Sequence, residues 1–386
     1  MNRIMTVVSI AFAGVTVASC SGSTSTGTTT GVDGGNHDSS TDAKAKAETG
    51  SDTGVGPTGT KACDDEAAAL CSLRNSCAPG SYDIKLDFGT EAACQSRTAQ
   101  TCVNALDAKG TGNTSEKVEA CAAAYPGELC PNFFDSNPVM ACVPPAGTLA
   151  NGAACGASAQ CVSTYCAVSQ YTVCGTCQPL PMVGATCQVQ ADCGRDLACA
   201  TPTVAVGDGG VPTSGQCAAW VGLGGSCLTG FNPCQEGNSC VGDDEATMTM
   251  GLCQAAGQAV DAPCDSSRKT MASCDNDIGL VCIPATKGST IGTCMSVSLV
   301  GAGATCGDIG AAPITGFANC MSSGLCKKPA PTDATGTCVS AAADDAPCDN
   351  DPSIGPPCLS PSKCVVPSGS SGTKGTCTVP NAATCM

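Results

Sequence analysis

The chain is 386 residues long, with 35 Cys and 47 Gly but only one Trp, four Tyr and six Phe. Such cysteine density, sustained over such a length, implies many small crosslinked modules in series and excludes large aromatic cores. Seventeen basic against 33 acidic residues leave a net charge of −16, and no basic run exceeds two residues, so nucleic acid and other polyanions are excluded as partners.

Arg3 precedes an uncharged apolar run from Met5 to Ala18. That is the layout of a secretory signal, and it is short of the ~20 apolar residues a membrane span needs. The run ends in Val17-Ala18-Ser19-Cys20, which resembles the lipobox of bacterial lipoproteins. The resemblance implies that residues 1–19 are a signal peptide cleaved before Cys20. It also implies that the Cys20 sulfur and new amino group carry acyl chains such as palmitate, which makes the membrane a partner. Ser21 in the next position implies routing to the outer membrane. Removing Cys20 leaves 34 cysteines, an even number, so every remaining thiol can pair in an oxidising compartment.

Residues 20–60 read as a disordered tether. Ser, Thr and Gly fill 25 of the 40 positions from 21 to 60, too little apolar surface to offset the entropy of ordering. As a Gly/Ser-type coil it spans roughly 35 Å end to end. The only histidine, His37, lies in it as a solvated linker residue. Ser-His-Asp and Cys-His catalysis are thereby excluded from the folded region.

Residues 61–145 form a helical head that holds Cys63, Cys71, Cys77, Cys94, Cys102, Cys121, Cys130 and Cys142. Asp64-Asp65-Glu66, Thr90 and Ser115 each stand ahead of an Ala-rich helical pattern, and Pro126-Gly127 ends the last one. The Cys63/Cys71 and Cys94/Cys102 spacings of eight put each pair roughly on one helix face. Three short stapled helices are expected, with Leu70, Leu73, Phe88, Val103, Leu106 and Tyr125 as a small core.

From 148 to 386 the chain repeats with a period of about 36–44 residues. Gly-x-Cys recurs at Gly175, Gly215, Gly251, Gly292, Gly336 and Gly375, each two residues before a Cys. One Cys precedes it by 11 to 18 residues, another lies five to eight further back, and a fourth follows a small-residue stretch, as in Val183-Gly184-Ala185-Thr186-Cys187. Each unit reads as a small irregular β-hairpin with a loop of variable length, Cys282 to Cys294 being the clearest. The repeated Gly implies close backbone approach or a positive φ. Two crosslinks per unit, each worth ~3 kcal/mol, would replace the missing hydrophobic core.

Parity suggests a frame for the array. Cys155, Cys161, Cys166, Cys174, Cys177 and Cys187 form a first group of six. Groups of four follow: Cys193, Cys199, Cys217, Cys227; Cys234, Cys240, Cys253, Cys264; Cys274, Cys282, Cys294, Cys306; Cys320, Cys326, Cys338, Cys348; and Cys358, Cys364, Cys377, Cys385. Every count is even, so Cys385 is expected to be bonded, although four cysteines still allow three pairings. The small-residue Cys, the pair around Gly194-Arg195-Asp196-Leu197-Ala198-Cys199 and Gly-x-Cys together resemble the Dickkopf N-terminal type of cysteine-rich module. They resemble still more the tandem cysteine-rich lipoproteins of Gram-negative bacteria, while EGF-like and granulin-like spacings are similar too. The resemblance implies binding modules without catalytic residues.

Cys174-Gly175-Thr176-Cys177 is a C-x-x-C, but Gln178-Pro179-Leu180-Pro181 after it cannot start the helix a redox centre needs, so structural disulfides are expected. Asp275 with Asp277 and Asp349 with Asp351 each follow a Cys, and Asp243-Asp244-Glu245 sits in a loop. They are candidate calcium ligands, against the plainer reading of turn-forming residues. No cofactor is expected. The reading is a lipid-anchored envelope protein, facing the periplasm or the medium, with a non-catalytic binding, adhesive or structural role toward a protein or glycan. The alternatives are a protease inhibitor presenting Arg268-Lys269 or Lys327-Lys328, or a calcium-binding module protein.

Overall fold

In the computed structural model the described residues are 58–385, apart from 170, 188–189, 202–213, 287, 311–313, 331–332, 352–354, 368–369 and 371. The expected signal peptide, Cys20, His37 and nearly all of the expected tether lie outside them. No helix among the described residues is long and apolar enough to cross a membrane.

The head contains five helices, not three. Thr58 caps α1 (Gly59–Cys77) by accepting the Lys61 N–H. The helix therefore starts ahead of Asp64-Asp65-Glu66, the trio expected to mark its beginning. Next come α2 (Tyr82–Asp87), α3 (Glu91–Leu106), α4 (Ser115–Ala124) and α5 (Cys130–Phe134). Thr90 caps α3 as expected, but Thr114 rather than Ser115 caps α4. The helices α2 and α5 are six and five residues long, too short to print a 3.6-residue period.

Disulfides Cys63–Cys102 and Cys71–Cys94 staple α1 to α3, Cys77–Cys130 ties α1 to α5, and Cys121–Cys142 holds α4 to the segment after α5. Leu73, Tyr125 and Phe133 pack around Cys77 and Cys121, while Ile84 and Phe88 pack around Cys71 and Cys94. Leu70, Val103 and Leu106 are half-buried at the edges of these clusters. Buried Arg74 pairs with Asp83 and Asp87 and lies over the Phe88 ring, 4.9 Å from its centroid.

Six modules follow, and their frame differs from the one parity suggested. Each begins at the small-residue Cys and, with Cys174 of the first module set aside, pairs its first cysteine with its third and its second with its fourth. The first three modules hold Cys155–Cys166 with Cys161–Cys177, Cys187–Cys199 with Cys193–Cys217, and Cys227–Cys240 with Cys234–Cys253. The last three hold Cys264–Cys282 with Cys274–Cys294, Cys306–Cys326 with Cys320–Cys338, and Cys348–Cys364 with Cys358–Cys377. Strand pairing sets this frame. In the fourth module Ile291–Ser296 is the central strand, with Cys264 opposite Gly292 and Cys282 opposite Cys294. The same register recurs in the other five.

The geometry explains the repeated glycine. A Cβ on Gly292 would stand 1.9 Å from the Ile283 carbonyl oxygen, and the five equivalent glycines meet the corresponding carbonyl at 2.0 to 2.6 Å. Close approach is thus the reason; the left-handed residue lies elsewhere, three positions before each first cysteine. There Gly152, Gly184, Gly224, Asp261, Gly303 and Asp345 have φ between 62° and 90°. Each donates its N–H to the carbonyl of the fourth cysteine at 2.8 Å. The buried centre of each module is mainly disulfide sulfur, as with Cys227, Cys234, Cys240 and Cys253.

Parity failed because one bridge leaves its module. Cys174 of the first module bonds Cys385 at the chain's end, a sequence separation of 211. Cys385 is bonded as expected, but this clasp closes the array on itself. The closed array holds the helical domain as a collar, for every module touches it. Gln160 of the first module donates to the Lys109 carbonyl (2.9 Å), and Arg195 of the second donates to Asn137 (3.0 Å). The Glu236 N–H of the third reaches Asp135 (2.8 Å), and Gly279 of the fourth lies against the Tyr82 ring. Ser322 and Ser323 of the fifth donate their N–H groups to the carbonyls of Lys85 and Leu86. For the sixth, Arg97 makes a two-point contact with Asp344 (2.9 and 2.8 Å) and also donates to Leu359, Ser360 and Ser362.

Candidate functional site

In modules two to six the head-facing residues come mainly from one place, the loop between the second and third cysteines. Arg195, Glu236, Gly279, Ser322 and Ser323, and Ser360 and Ser362 all occupy it. The hairpin between the third and fourth cysteines, like the stretch between the first and second, varies in length. Its described residues include exposed apolar side chains: Tyr171 in the first module, Met248, Met250 and Leu252 in the third, and Ile291 in the fourth. The modules thus use one loop for docking and leave another at the surface, where a partner could reach it.

Every cysteine among the described residues is bridged. In the C-x-x-C, Cys174 is bonded to Cys385 and Cys177 to Cys161, so the pair is two structural half-bridges. Within a module three sulfurs come close together; those of Cys227, Cys234 and Cys253 lie within 4.8 Å of one another. Their closeness comes from two crossing disulfides, whose sulfurs are not thiolates and cannot act as thiolate ligands.

The acidic candidates separate into two kinds. Asp349 accepts the Asp351 N–H (3.0 Å), a turn-stabilising bond within the sixth module. A Thr373 side-chain hydrogen bond and that backbone N–H hold its carboxyl below the ordinary range. Asp265 is its counterpart in the fourth module, 1 % exposed. It accepts from the N–H and hydroxyl of Ser267 and of Thr270 at 2.6 to 3.0 Å. Burial would raise its pKa, but these four bonds outweigh burial and lower it. Asp243 and Asp244 likewise accept main-chain N–H groups, from Thr229 and Ala246.

Asp275 and Asp277 are different, because the fold brings them to Glu236 of the third module and Asp135 of the head. Sequence reasoning missed Glu236 and Asp135; 101 residues separate them, and no local signal marks their meeting. Of the basic pairs, Arg268 is half-buried with φ 58°, and its guanidinium donates to Thr229 (3.1 Å). Lys327 ends a strand opposite Thr337. Lys269, Lys327 and Lys328 are exposed, and Lys327-Lys328 opens the surface hairpin of the fifth module.

Comparison with protein-family models, with curated proteins and with solved structures gives no match for this chain.

Proposed function

We infer that this disulfide-rich module protein is an exported, lipid-anchored scaffold of the cell envelope that binds a protein or glycan through its outer hairpins. The observation that carries the reading is the division of labour within each module. Docking loops face the helical domain, and hairpins of unequal length remain at the surface, two of them bearing Tyr171 and Met248. All 34 cysteines after Cys20 are bridged, which supports an oxidising location. The lipobox-like Val17 to Cys20 supports the anchor, and several acyl chains hold a protein firmly where one alone is marginal.

Two experiments test it. Labelled palmitate should enter the protein in growing cells, and Cys20→Ala should abolish the label; an unlabelled wild-type protein would remove the anchor. Purified full-length protein should bind in a glycan or envelope-protein array, and Met248→Ser with Met250→Ser should weaken that binding without lowering thermal stability. Binding that survives there and is lost only with docking-loop variants would refute the assignment of roles.

A further inference from the structure

No bridge among the described residues joins a cysteine to the next one along the chain. In modules two to six the first cysteine pairs with the third and the second with the fourth, so every bridge skips one. In the first module Cys155–Cys166 passes over Cys161, Cys161–Cys177 passes over Cys166 and Cys174, and the clasp passes over every cysteine of the later modules. In the helical domain Cys71–Cys94 passes over Cys77 and Cys121–Cys142 over Cys130, while Cys63–Cys102 and Cys77–Cys130 each pass over several.

Nearest-neighbour bonds are nevertheless the ones an unfolded chain closes first. Cys187 and Cys193 stand six positions apart, half the separation of 12 that Cys187–Cys199 spans. Halving a loop favours its closure by about threefold. A chain that enters an oxidising compartment N-terminus first also presents each such cysteine before its native partner has arrived. Local folding does not prevent the error. Strand register sets Cys199 opposite Cys217, Cys240 opposite Cys253 and Cys282 opposite Cys294, yet no facing pair is a bonded pair. With the clasp and the helical domain set aside, three pairings in each of six modules leave roughly one chain in 700 correct by chance.

We propose, on the export inferred above, that the protein is a substrate of a thiol–disulfide isomerase, a partner whose reactive thiolate rearranges nearest-neighbour bridges into the crossed ones. In the second module the partner's thiolate attacks the Cys187 sulfur of a wrong Cys187–Cys193 bridge, forming a mixed disulfide and releasing Cys193 as a thiolate. Cys193 attacks the Cys217 sulfur of a wrong Cys199–Cys217 bridge, which makes Cys193–Cys217 and frees Cys199. Cys199 attacks the Cys187 sulfur of the mixed disulfide, which makes Cys187–Cys199 and returns the partner's thiolate. Two bridges stand before and after, so nothing is oxidised or reduced overall. The geometry suits the exchange, for the sulfurs of Cys187, Cys193 and Cys217 lie within 4.8 Å of one another in the finished module.

The test reoxidises the reduced full chain in two ways: with diamide alone, which leaves no free thiol, and with diamide followed by reduced protein disulfide isomerase. Mass spectrometry without reduction maps the bridges. Diamide alone should give Cys187–Cys193 and its counterparts, with the native map in fewer than about 1 % of chains, and the isomerase should raise that share by about tenfold or more. Cys187→Ser with Cys199→Ser makes Cys193 and Cys217 neighbours along the chain, so their bridge should then form far more often with diamide alone. A native map from diamide alone at the yield the isomerase gives overturns the proposal, as does an isomerase that leaves nearest-neighbour bridges in place. If the refolding chain precipitates, expression in a bacterial periplasm with and without its disulfide isomerase decides. The native map should be lost without the enzyme, and its retention overturns the proposal. Refolding needs no export, so its outcome is read separately from the palmitate experiment.

Discussion

Removing the clasp, by Cys174→Ser with Cys385→Ser, tests whether the array is held as a ring. The bridge spans 211 residues of sequence, but five other bridges cut the covalent path between its ends. Taken through these and the first-to-third bridges of the later modules, the shortest path is roughly 100 residues, for which the chain-entropy model gives about 4.7 kcal/mol. The Cys187–Cys199 bridge closes a separation of only 12, worth about 3 kcal/mol in the same model. The clasp variant should therefore lose more stability than Cys187→Ser with Cys199→Ser, although it leaves all six modules internally bridged. Guanidinium unfolding under non-reducing conditions measures the loss. Small-angle scattering should show a larger radius as the sixth module parts from the first, where Lys363 now donates to the Ser169 carbonyl. A clasp variant with the parent's midpoint and radius would refute the closed-collar account.

Other expectations are local. Gly292→Ala places a methyl carbon 1.9 Å from the Ile283 oxygen; it should lower the oxidised yield and cost more than Gly288→Ala, where φ is +85° in open space and the penalty is about 1–2 kcal/mol. Arg97→Met removes the guanidinium from Asp344, which keeps only the Ser362 hydroxyl, and from two carbonyls. The loss should be about 3 kcal/mol in chemical denaturation, and Arg97→Lys should restore little of it because an ammonium cannot make the two-point contact. Asp265 carries a lowered pKa, with burial outweighed by its four hydrogen bonds, so its contribution is present above the unfolded carboxylate pKa and lost as pH falls toward the folded value. An acid titration of Asp265→Asn should show a weaker dependence below about pH 4 than the wild type.

The helical head was legible because Thr90 caps α3 in sequence as in space, and because Leu73, Phe88 and Tyr125 are among its few large apolar residues. The cap of α1 was read too late and that of α4 one residue off, since Thr and Ser stand side by side at 114 and 115 and either hydroxyl could serve. Phe133 and the buried Arg74 escaped notice because short helices and ion pairs leave no periodic trace.

Cysteine content, repeat spacing and the Gly-x-Cys motif by themselves determined that this chain is a series of sulfur-bridged hairpins. Those features act within a few residues, where chain geometry leaves little choice. The pairing of first with third and second with fourth cysteine, the closure of Cys174 on Cys385, and the meeting of Glu236 with Asp135 were decided only by the tertiary structure. Each joins residues whose proximity follows from how strands align and modules wrap the head, and neither even counts nor spacing carries that information.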